Sequence, residues 1–254
     1  MIIMRLTNLF SNKVLPHSDL EGGHGQSFFL EINGKNLLLD VGASGKKLLA
    51  NMSKLHISVD SVQLLAFSHG HYDHSQALPE FLAARSSNLI PLPTYGHPAM
   101  EEKKYAKIAF LKKNLGFPSK KMTPELRSRC EFHLQSEPLE ILSGVWLSGE
   151  IKERPYHSGE EKMAMHLKDD GSSEIDPVKE DQSMYLRTSN GTVIVTGCAH
   201  AGLLNICRNA KELLKQPIHA IIGGSHMVRF TEEQVEEVAD VLKSDFDSPT
   251  LYLN

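Results

Sequence analysis

The sequence AFSHGHYDHSQALPEF, residues 66–81, places four side chains of the metal-ligand type within six positions. They are His69, His71, Asp73 and His74. The apolar run SVQLLAFS, residues 61–68, leads into them and is typical of a buried strand. Imidazole nitrogens and carboxylate oxygens suit zinc, manganese and iron, and few other tasks need so many of them together. The H-x-H-x-D-H pattern therefore predicts a metal centre at a strand end, rather than a polar loop with chance histidines.

The spacing within this cluster leaves room for a second metal ion. His69 and His71 can point the same way, because Gly70 between them gives the backbone freedom. Asp73 and His74 are adjacent and project differently, so they can serve a second ion about 3.5–4 Å from the first. The sequence therefore predicts one or two divalent ions, with zinc favoured over manganese, iron or magnesium.

The composition is that of an ordinary globular chain, since 41% of the 254 residues are hydrophobic and 23% are charged. We interpret residues 1–254 as a single domain. The formal charge of -4 gives no general attraction to nucleic acid or membrane, and no run approaches the ~20 apolar residues of a membrane-spanning helix. Three scattered cysteines make no disulfide framework and favour the cytoplasm. The expected partner is a small molecule, with no nucleic acid or membrane, and the oligomeric state is left open.

Strand and helix patterns alternate along the chain. Asn-Gly pairs at residues 33–34 and 190–191 predict two hairpins. Periodicity predicts helices near residues 45–55, 76–86, 99–116, 201–215 and 231–244. The last of these begins with a capping box of Thr231 and Gln234. Residues 165–182 have turn and charge composition and predict a long surface loop. Together these patterns indicate an α/β chain with sheets covered by helices.

Four segments resemble a known family. SHGHYDHSQAL matches the H-x-H-x-D-H signature of the metallo-β-lactamase fold, and LLLDVG resembles the strand end that precedes it there. TGCAHAGLLNI, IIGGSHM and EGGHGQSFFLEI resemble segments of one branch, the 7,8-dihydropterin-6-yl-methyl-4-(β-D-ribofuranosyl)aminobenzene 5'-phosphate synthase-like proteins. The resemblance runs from about residue 20 to the end. It implies a four-layer αββα sandwich with metals at one edge.

The resemblance also implies roles for particular residues. The H-x-H-x-D-H side chains take the central ligand positions, and Asp40 supports them by hydrogen bonding. His200 stands where most members have a bridging aspartate, with a plain loop histidine as the alternative. No histidine occupies the expected place of the third-motif ligand. Asp181 is the nearest candidate and Glu180 the next, with surface charge as the alternative.

Residues outside the ligand set are expected to meet the substrate. His226 follows a strand end and is expected to act as acid, base or phosphate contact, with a structural polar residue as the alternative. His24 is a second candidate for substrate contact. Asp73 is expected to take part in catalysis as well as in metal binding.

Three functions are compatible with these residues. The branch resemblance implies a metal-dependent transferase that joins an aromatic amine to a dihydropterin with release of pyrophosphate. A metal-dependent hydrolase of a phosphodiester or lactone is the second. The third is a non-catalytic protein that binds a pterin-type ligand. Nucleic-acid processing finds little support, because the charge is negative and no basic-aromatic patch stands out.

Two departures from the branch pattern bear on these expectations. The branch has a further histidine just after the residues that LYLN, 251–254, resembles, and this sequence stops before it. We expect either that the sandwich lacks its last strand and loop, or that the site is completed differently. Gln76 and Ala77 replace glycines that allow close backbone approach, so the entry into the following helix is expected to differ.

Overall fold

The computed structural model describes residues 4–108, 111–158, 164–168 and 170–253. The chain divides into two compact units. Unit 1 comprises Met1–Leu134 and Lys162–Asp176, and unit 2 comprises Gln135–Glu161 and Pro177–Asn254. The interpretation of residues 1–254 as a single domain remains a prediction, because the division into compact units does not test it. The chain end at Asn254 lies outside the described residues.

Unit 1 contains two sheets. The first has six strands in the order β1-β2-β3-β4-β5-β8, which are β1 Met4–Phe10, β2 Ser27–Ile32, β3 Lys35–Leu39, β4 Leu64–Ala66, β5 Leu92–Gly96 and β8 Cys130–Leu134. The second has four strands in the order β12-β11-β6-β7, which are β6 Lys104–Ile108, β7 Leu111–Asn114, β11 Ala164–Leu167 and β12 Ser173–Ile175. Its helices are α1 Gly45–Lys54, α2 Tyr72–Ser75, α3 Leu78–Ala84 and α4 Pro124–Arg127.

The hairpin of β2 and β3 forms where the sequence predicts it. Asn33 and Gly34 both have positive φ, at 51° and 76°, which is the backbone of a two-residue hairpin turn. After the turn, β3 pairs in parallel with β4, and β4 with β5. The Leu37–Leu39 run is buried, as expected for a strand covered on both faces. This arrangement brings the ends of β3 and β4 to the same edge of the sheet.

Asn51 of α1 ties the N-terminal strand and the following loop to the core. Its Nδ2 donates to the carbonyl of Leu9 at 2.7 Å and to that of Glu21 at 2.9 Å. Its Oδ1 accepts from the backbone N–H of Glu21 at 2.8 Å. Asn51 is 1% exposed, and these bonds satisfy a buried backbone carbonyl at Leu9 and half-buried backbone groups at Glu21. The loop that they hold leads directly to His24.

Unit 2 has one six-stranded sheet in the order β16-β15-β14-β13-β10-β9. Its strands are β9 Leu139–Leu142, β10 Val145–Leu147, β13 Met184–Thr188, β14 Gly191–Thr196, β15 Ile218–Gly223 and β16 Thr250–Leu253. Its helices are α5 Leu203–Leu214 and α6 Glu232–Ser244. The predicted hairpin of β13 and β14 is present, and the capping box of Thr231 and Gln234 is confirmed. Ile206 and Ala210 of α5 pack with Ile194 and Ile221 of the sheet in the core of this unit.

Two expectations for the middle of the chain are wrong. The described residues of the segment 99–116 do not form the predicted α-helix, because β6 pairs with β11 and β7 and buries Tyr105 and Ala106. Strand pairing here outweighs the local helix preference of a charged segment. Residues 165–182 are not simply a surface loop, since they contain the paired strands β11 and β12 and the buried residues Asp176, Glu180 and Asp181. Among the described residues, no helix is both long and apolar enough to cross a membrane.

We expect Asn51→Ala to lower the free energy of unfolding by about 3 kcal/mol, because it removes three hydrogen bonds, one to the buried carbonyl of Leu9 and two to half-buried backbone groups of Glu21. Urea unfolding followed by far-UV circular dichroism measures this. Asn36→Ala is the matched control, since the Asn36 amide donates a single half-buried hydrogen bond, to Ser61 O at 3.1 Å. Its expected cost is about 1 kcal/mol. If the two substitutions lowered the free energy of unfolding equally, Asn51 would not have the predicted role in holding β1 and the following loop.

Candidate metal centre

The H-x-H-x-D-H segment runs from the end of β4 into the short helix α2, within unit 1. His69 and His74 are each 1% exposed, His71 is 7% and Asp73 is 6% exposed. The centroid of the His69 ring lies 4.7 Å from that of His71 and 4.3 Å from that of His74. The structure therefore gathers three imidazoles and a carboxylate in one buried cluster, which we call the histidine cluster.

Asp40, at the end of β3, orients this cluster. Its carboxylate accepts from the backbone N–H of Ser68 at 2.8 Å and from the Ser68 hydroxyl at 2.6 Å. His74 Nδ1 lies 2.7 Å from Oδ2 of the same carboxylate, the oxygen that also accepts from the Ser68 hydroxyl. A carboxylate only accepts, so His74 carries its proton on Nδ1 and keeps a lone pair on Nε2. These bonds support the orienting role predicted for Asp40.

Ser68 determines which ring nitrogen of His69 carries the proton. The Ser68 hydroxyl hydrogen is directed to Asp40, and its oxygen lies 2.9 Å from His69 Nδ1. The oxygen can then only accept from His69, which places the His69 proton on Nδ1. His69 and His74 thus both present Nε2 as the lone-pair nitrogen that a metal ion would take.

Two glycines let the chain approach this segment closely. A Cβ on Gly70 would lie 2.0 Å from the carbonyl oxygen of Met100, and one on Gly25 would lie 1.8 Å from that of Asp73. Neither position can therefore carry a side chain without moving the backbone. Next to Gly25, His24 Nε2 lies 3.5 Å from Asp73 Oδ2, and the His24 side chain is 65% exposed. The structure thus brings His24 to the open side of Asp73.

The charges around Asp73 favour its ionised form. Burial opposes a charge on this carboxyl, but the neighbouring His74, His71 and His24 outweigh burial and hold the pKa of Asp73 below its ordinary value. A carboxylate beside several imidazole rings is a donor set that suits a divalent cation.

In unit 2, the structure brings together two of the predicted histidines. His200 lies between β14 and α5 and is buried, and its ring centroid is 4.2 Å from that of His226. His226 follows β15 in a left-handed backbone conformation, with φ of 46°. Gly202 fixes the turn after His200, because its φ is 91° and a Cβ there would lie 2.3 Å from the carbonyl oxygen of His157.

Asp181 is buried in unit 2, so the alternative of a surface charge is wrong for it, and Glu180 beside it is buried as well. Asp181 Oδ2 accepts from the backbone N–H of Ala201 at 2.8 Å. Among the described residues, Asp181 Oδ1 has no hydrogen-bond partner. Burial raises the pKa of Asp181 to about 6. A buried carboxylate oxygen of this kind is a good ligand atom for a cation.

Sequence reasoning missed two residues beside the histidine cluster. Asp176 Oδ2 lies 3.5 Å from His71 Nε2 and 3.8 Å from Lys104 Nζ, and all three side chains are buried. The sequence predicts a surface loop around Asp176 and a helix around Lys104. Gly171, with φ of 82°, turns the chain between β11 and β12. Interpreting that glycine as a hairpin turn would have placed Asp176 at a strand end.

A family model of the metallo-beta-lactamase superfamily matches residues 20–163, which is more than half of the chain. The chain belongs to the metallo-β-lactamase superfamily. Proteins with this fold generally bind divalent metals. The donor set of the histidine cluster fits such an ion, since two imidazoles are held through Nδ1 and lie beside a carboxylate.

Similar proteins agree with the branch expected from the sequence. The 7,8-dihydropterin-6-methyl-4-(beta-D-ribofuranosyl)-aminobenzene-5'-phosphate synthase of Methanocaldococcus jannaschii is 25% identical over 229 residues, covering 87% of this chain and 76% of that protein. An uncharacterised protein of the same organism is 27% identical over 225 residues, covering 87% of this chain and 79% of that protein. The resemblance to this branch is confirmed.

A solved structure confirms the fold. The crystal structure of a protein described as a metal-dependent hydrolase of the beta-lactamase superfamily is 21% identical and has a TM-score of 0.77. The match covers 99% of this chain and 96% of that chain. The predicted α/β class and metallo-β-lactamase fold are therefore confirmed, with three sheets among the described residues.

We expect Asp40→Ala to lower the free energy of unfolding by about 4 kcal/mol, because it removes charge-assisted hydrogen bonds to Ser68 and His74 and places alanine at a φ of 58°. Asp40→Asn is the matched variant. It keeps the shape, tolerates the left-handed backbone and retains one acceptor, so about 2 kcal/mol is expected. Urea unfolding of both variants measures whether Asp40→Ala loses more free energy of unfolding than Asp40→Asn. An Asp40→Ala protein as stable as the wild type would contradict the prediction.

Proposed function

We propose that this protein is a metal-dependent enzyme of the dihydropterin–aminobenzene phosphate synthase branch. One observation carries the proposal, namely the buried histidine cluster, whose rings at His69 and His74 are held through Nδ1 by Ser68 and Asp40. Orienting a ring through its second nitrogen is the usual way in which proteins prepare a histidine for a metal. A structural histidine pair would not need this arrangement beside a buried carboxylate.

The residues proposed to hold the metal are His69, His71, Asp73 and His74 of unit 1. His200 and Asp181 of unit 2 stay predicted ligands on the sequence resemblance, and their burial supports the prediction. One or two divalent ions, with zinc favoured, would act as Lewis acids that neutralise charge on a leaving phosphate or diphosphate. Asp40 and Ser68 would keep the imidazoles in place throughout.

The proposed reaction follows from the synthase relative. In it, an aromatic amine nitrogen forms a bond to the methylene carbon of a dihydropterin, and the bond from that carbon to the diphosphate oxygen breaks. Pyrophosphate leaves with the bonding electrons, and the amine loses one proton. The substrates proposed for this chain are therefore a dihydropterin diphosphate and a phosphorylated aromatic amine. The support for them is the 25% identity to the synthase over 87% of this chain.

Two histidines are proposed to meet the substrates. His24 is exposed beside Asp73, where it can contact a ligand that approaches the histidine cluster. His226 is the proposed acid, base or phosphate contact, and its ring lies against that of His200. Asp73 is proposed to combine metal binding with a catalytic role. The cytoplasmic location stays a prediction from the scattered cysteines.

Metal content tests the cluster directly. After chelation and reconstitution with zinc, elemental analysis of the wild type should find about one to two ions per chain. His71→Ala should lose a large part of this metal, because it removes a ligand from a buried donor set. His219→Ala is the control, since His219 is exposed on β15, and its metal content should equal that of the wild type. A folded wild type without metal would rule out the proposed enzyme.

The reaction itself is tested by pyrophosphate release. With a dihydropterin diphosphate, release should depend on both the metal and the aromatic amine, and the coupled product should appear in equal amount by mass spectrometry. Release without the amine would indicate a hydrolase instead. A third outcome is that the protein binds the dihydropterin but turns over neither it nor a phosphodiester or lactone. That outcome would indicate a non-catalytic binding protein.

A further inference from the structure

Tyr72, the residue between His71 and Asp73, adds an aromatic ring to the histidine cluster in unit 1. Its backbone N–H donates to the carbonyl of Leu115 at 2.7 Å, which ties it to the residue that follows β7. The centroid of its half-buried ring lies 5.9 Å from that of His24, whose exposed side chain stands beside Asp73. Tyr72 and His24 therefore form a pair of rings on the open side of Asp73.

Lys113 of β7 places a positive charge over the Tyr72 ring. Its ammonium lies 5.0 Å from the centroid of that ring, which is the geometry of a cation–π contact. The Lys113 side chain is exposed, and no acidic side chain pairs with it in the part of the chain that the structure describes. Lys104 differs, because it is buried and lies near the carboxylate of Asp176. Lys113 thus offers a positive charge beside the cluster that a ligand can use.

The register of the four-stranded sheet separates Lys113 from its neighbour Lys112. In the antiparallel pair of β6 and β7, Lys113 stands opposite Ala106. Opposed residues share a face of the sheet and successive residues alternate between faces. Lys113 therefore lies on the same face as Lys104, which stands beside the histidine cluster. Lys112 lies on the other face, with its ammonium 4.5 Å from the centroid of the Tyr105 ring.

We propose that Lys113 binds the phosphate group of the phosphorylated aromatic amine, and that Tyr72 is a positioning residue for its ammonium. This inference rests on the proposed function, in which the metal would take the diphosphate of the dihydropterin. The phosphate of the amine then needs a cation of its own. A ring and a sugar separate that phosphate from the reacting nitrogen, so the cation has to lie outside the ligand set.

The contacts around Tyr72 suit a ligand of this kind. With its amine at the histidine cluster, such a ligand can contact the rings of His24 and Tyr72 with its own aromatic ring. Its phosphate then meets the Lys113 ammonium, a compact charge that donates strong hydrogen bonds to phosphate oxygens. The exposed position of Lys113 leaves the phosphate in contact with water, so the contact should weaken as salt is added.

Binding of the amine to the zinc-reconstituted full chain tests this contact without any turnover. The probes are 4-(β-D-ribofuranosyl)aminobenzene 5'-phosphate and the same compound without its phosphate, and isothermal titration calorimetry gives both dissociation constants. The wild type should bind the phosphorylated probe about 10-fold more tightly than the other. Lys113→Met should lose this preference, whereas Lys113→Arg keeps the charge and should retain it.

Lys112→Met is the matched control for Lys113→Met. It removes the same charge from the same strand and also from above a tyrosine ring, but on the other face of the sheet. Its preference for the phosphorylated probe should equal that of the wild type. Tyr72→Leu removes the ring under the Lys113 ammonium and should reduce the preference about 3-fold. Tyr72→Phe, which keeps the ring, should restore it.

Four results would overturn the proposal. The first is a wild type that binds both probes equally, and the second is a Lys113→Met protein with the wild-type preference. The third is an equal loss in Lys112→Met, which would indicate a general effect of surface charge. The fourth is weaker binding of the dihydropterin diphosphate, rather than of the amine, in Lys113→Met.

Failure of the proposed function is distinct from these results. It appears as a wild type that holds no zinc or forms no coupled product. The preference for the phosphorylated probe is measured by binding alone, so it decides the role of Lys113 whether or not the coupled product forms.

Discussion

The carboxylate of Asp40 is the group on which the histidine cluster depends. It ends β3, and its two oxygens meet the backbone and hydroxyl of Ser68 and the ring of His74. A charge buried this deeply costs free energy unless every lone pair finds a donor. The donors come from the loop that leaves β4, so β3 and β4 must stay in parallel register for the loop to form. The sheet and the histidine cluster are therefore stabilised by the same bonds.

The four-stranded sheet supports the cluster from its other side. The N–H of Tyr72 donates to the carbonyl of Leu115 at 2.7 Å, and Leu115 in turn donates to Lys104 at 3.0 Å. Gly70 passes against Met100 with no room for a side chain. These contacts hold the backbone at Gly70 and Tyr72, whereas Asp40 holds the Ser68 backbone and the side chains of Ser68 and His74. Rigid support of this kind is what lets a set of polar side chains remain buried without collapsing onto other partners.

Much of this could be predicted from the sequence, because the signals are local. The H-x-H-x-D-H spacing, the two Asn-Gly turns and the capping box at Thr231 each depend on residues that are close in the chain. The strands at residues 104–108 and 111–114 could not be predicted in the same way. Their lysines and apolar residues fit a helix as well as a strand, and only pairing with β11, more than fifty residues later, decides between them.

Pairing between distant strands also explains why the positions of Asp176 and Lys104 could not be predicted from the sequence. In its own segment, each residue has the pattern of an ordinary surface charge. The two come into contact with each other and with His71 only when β6, β11 and β12 form one sheet. Asp40 was found because it precedes the motif on a neighbouring strand and a resemblance marks its position. Asp176 reaches His71 only through the pairing of β11 and β12, so its place beside the histidine cluster depends on sheet topology rather than on motif spacing.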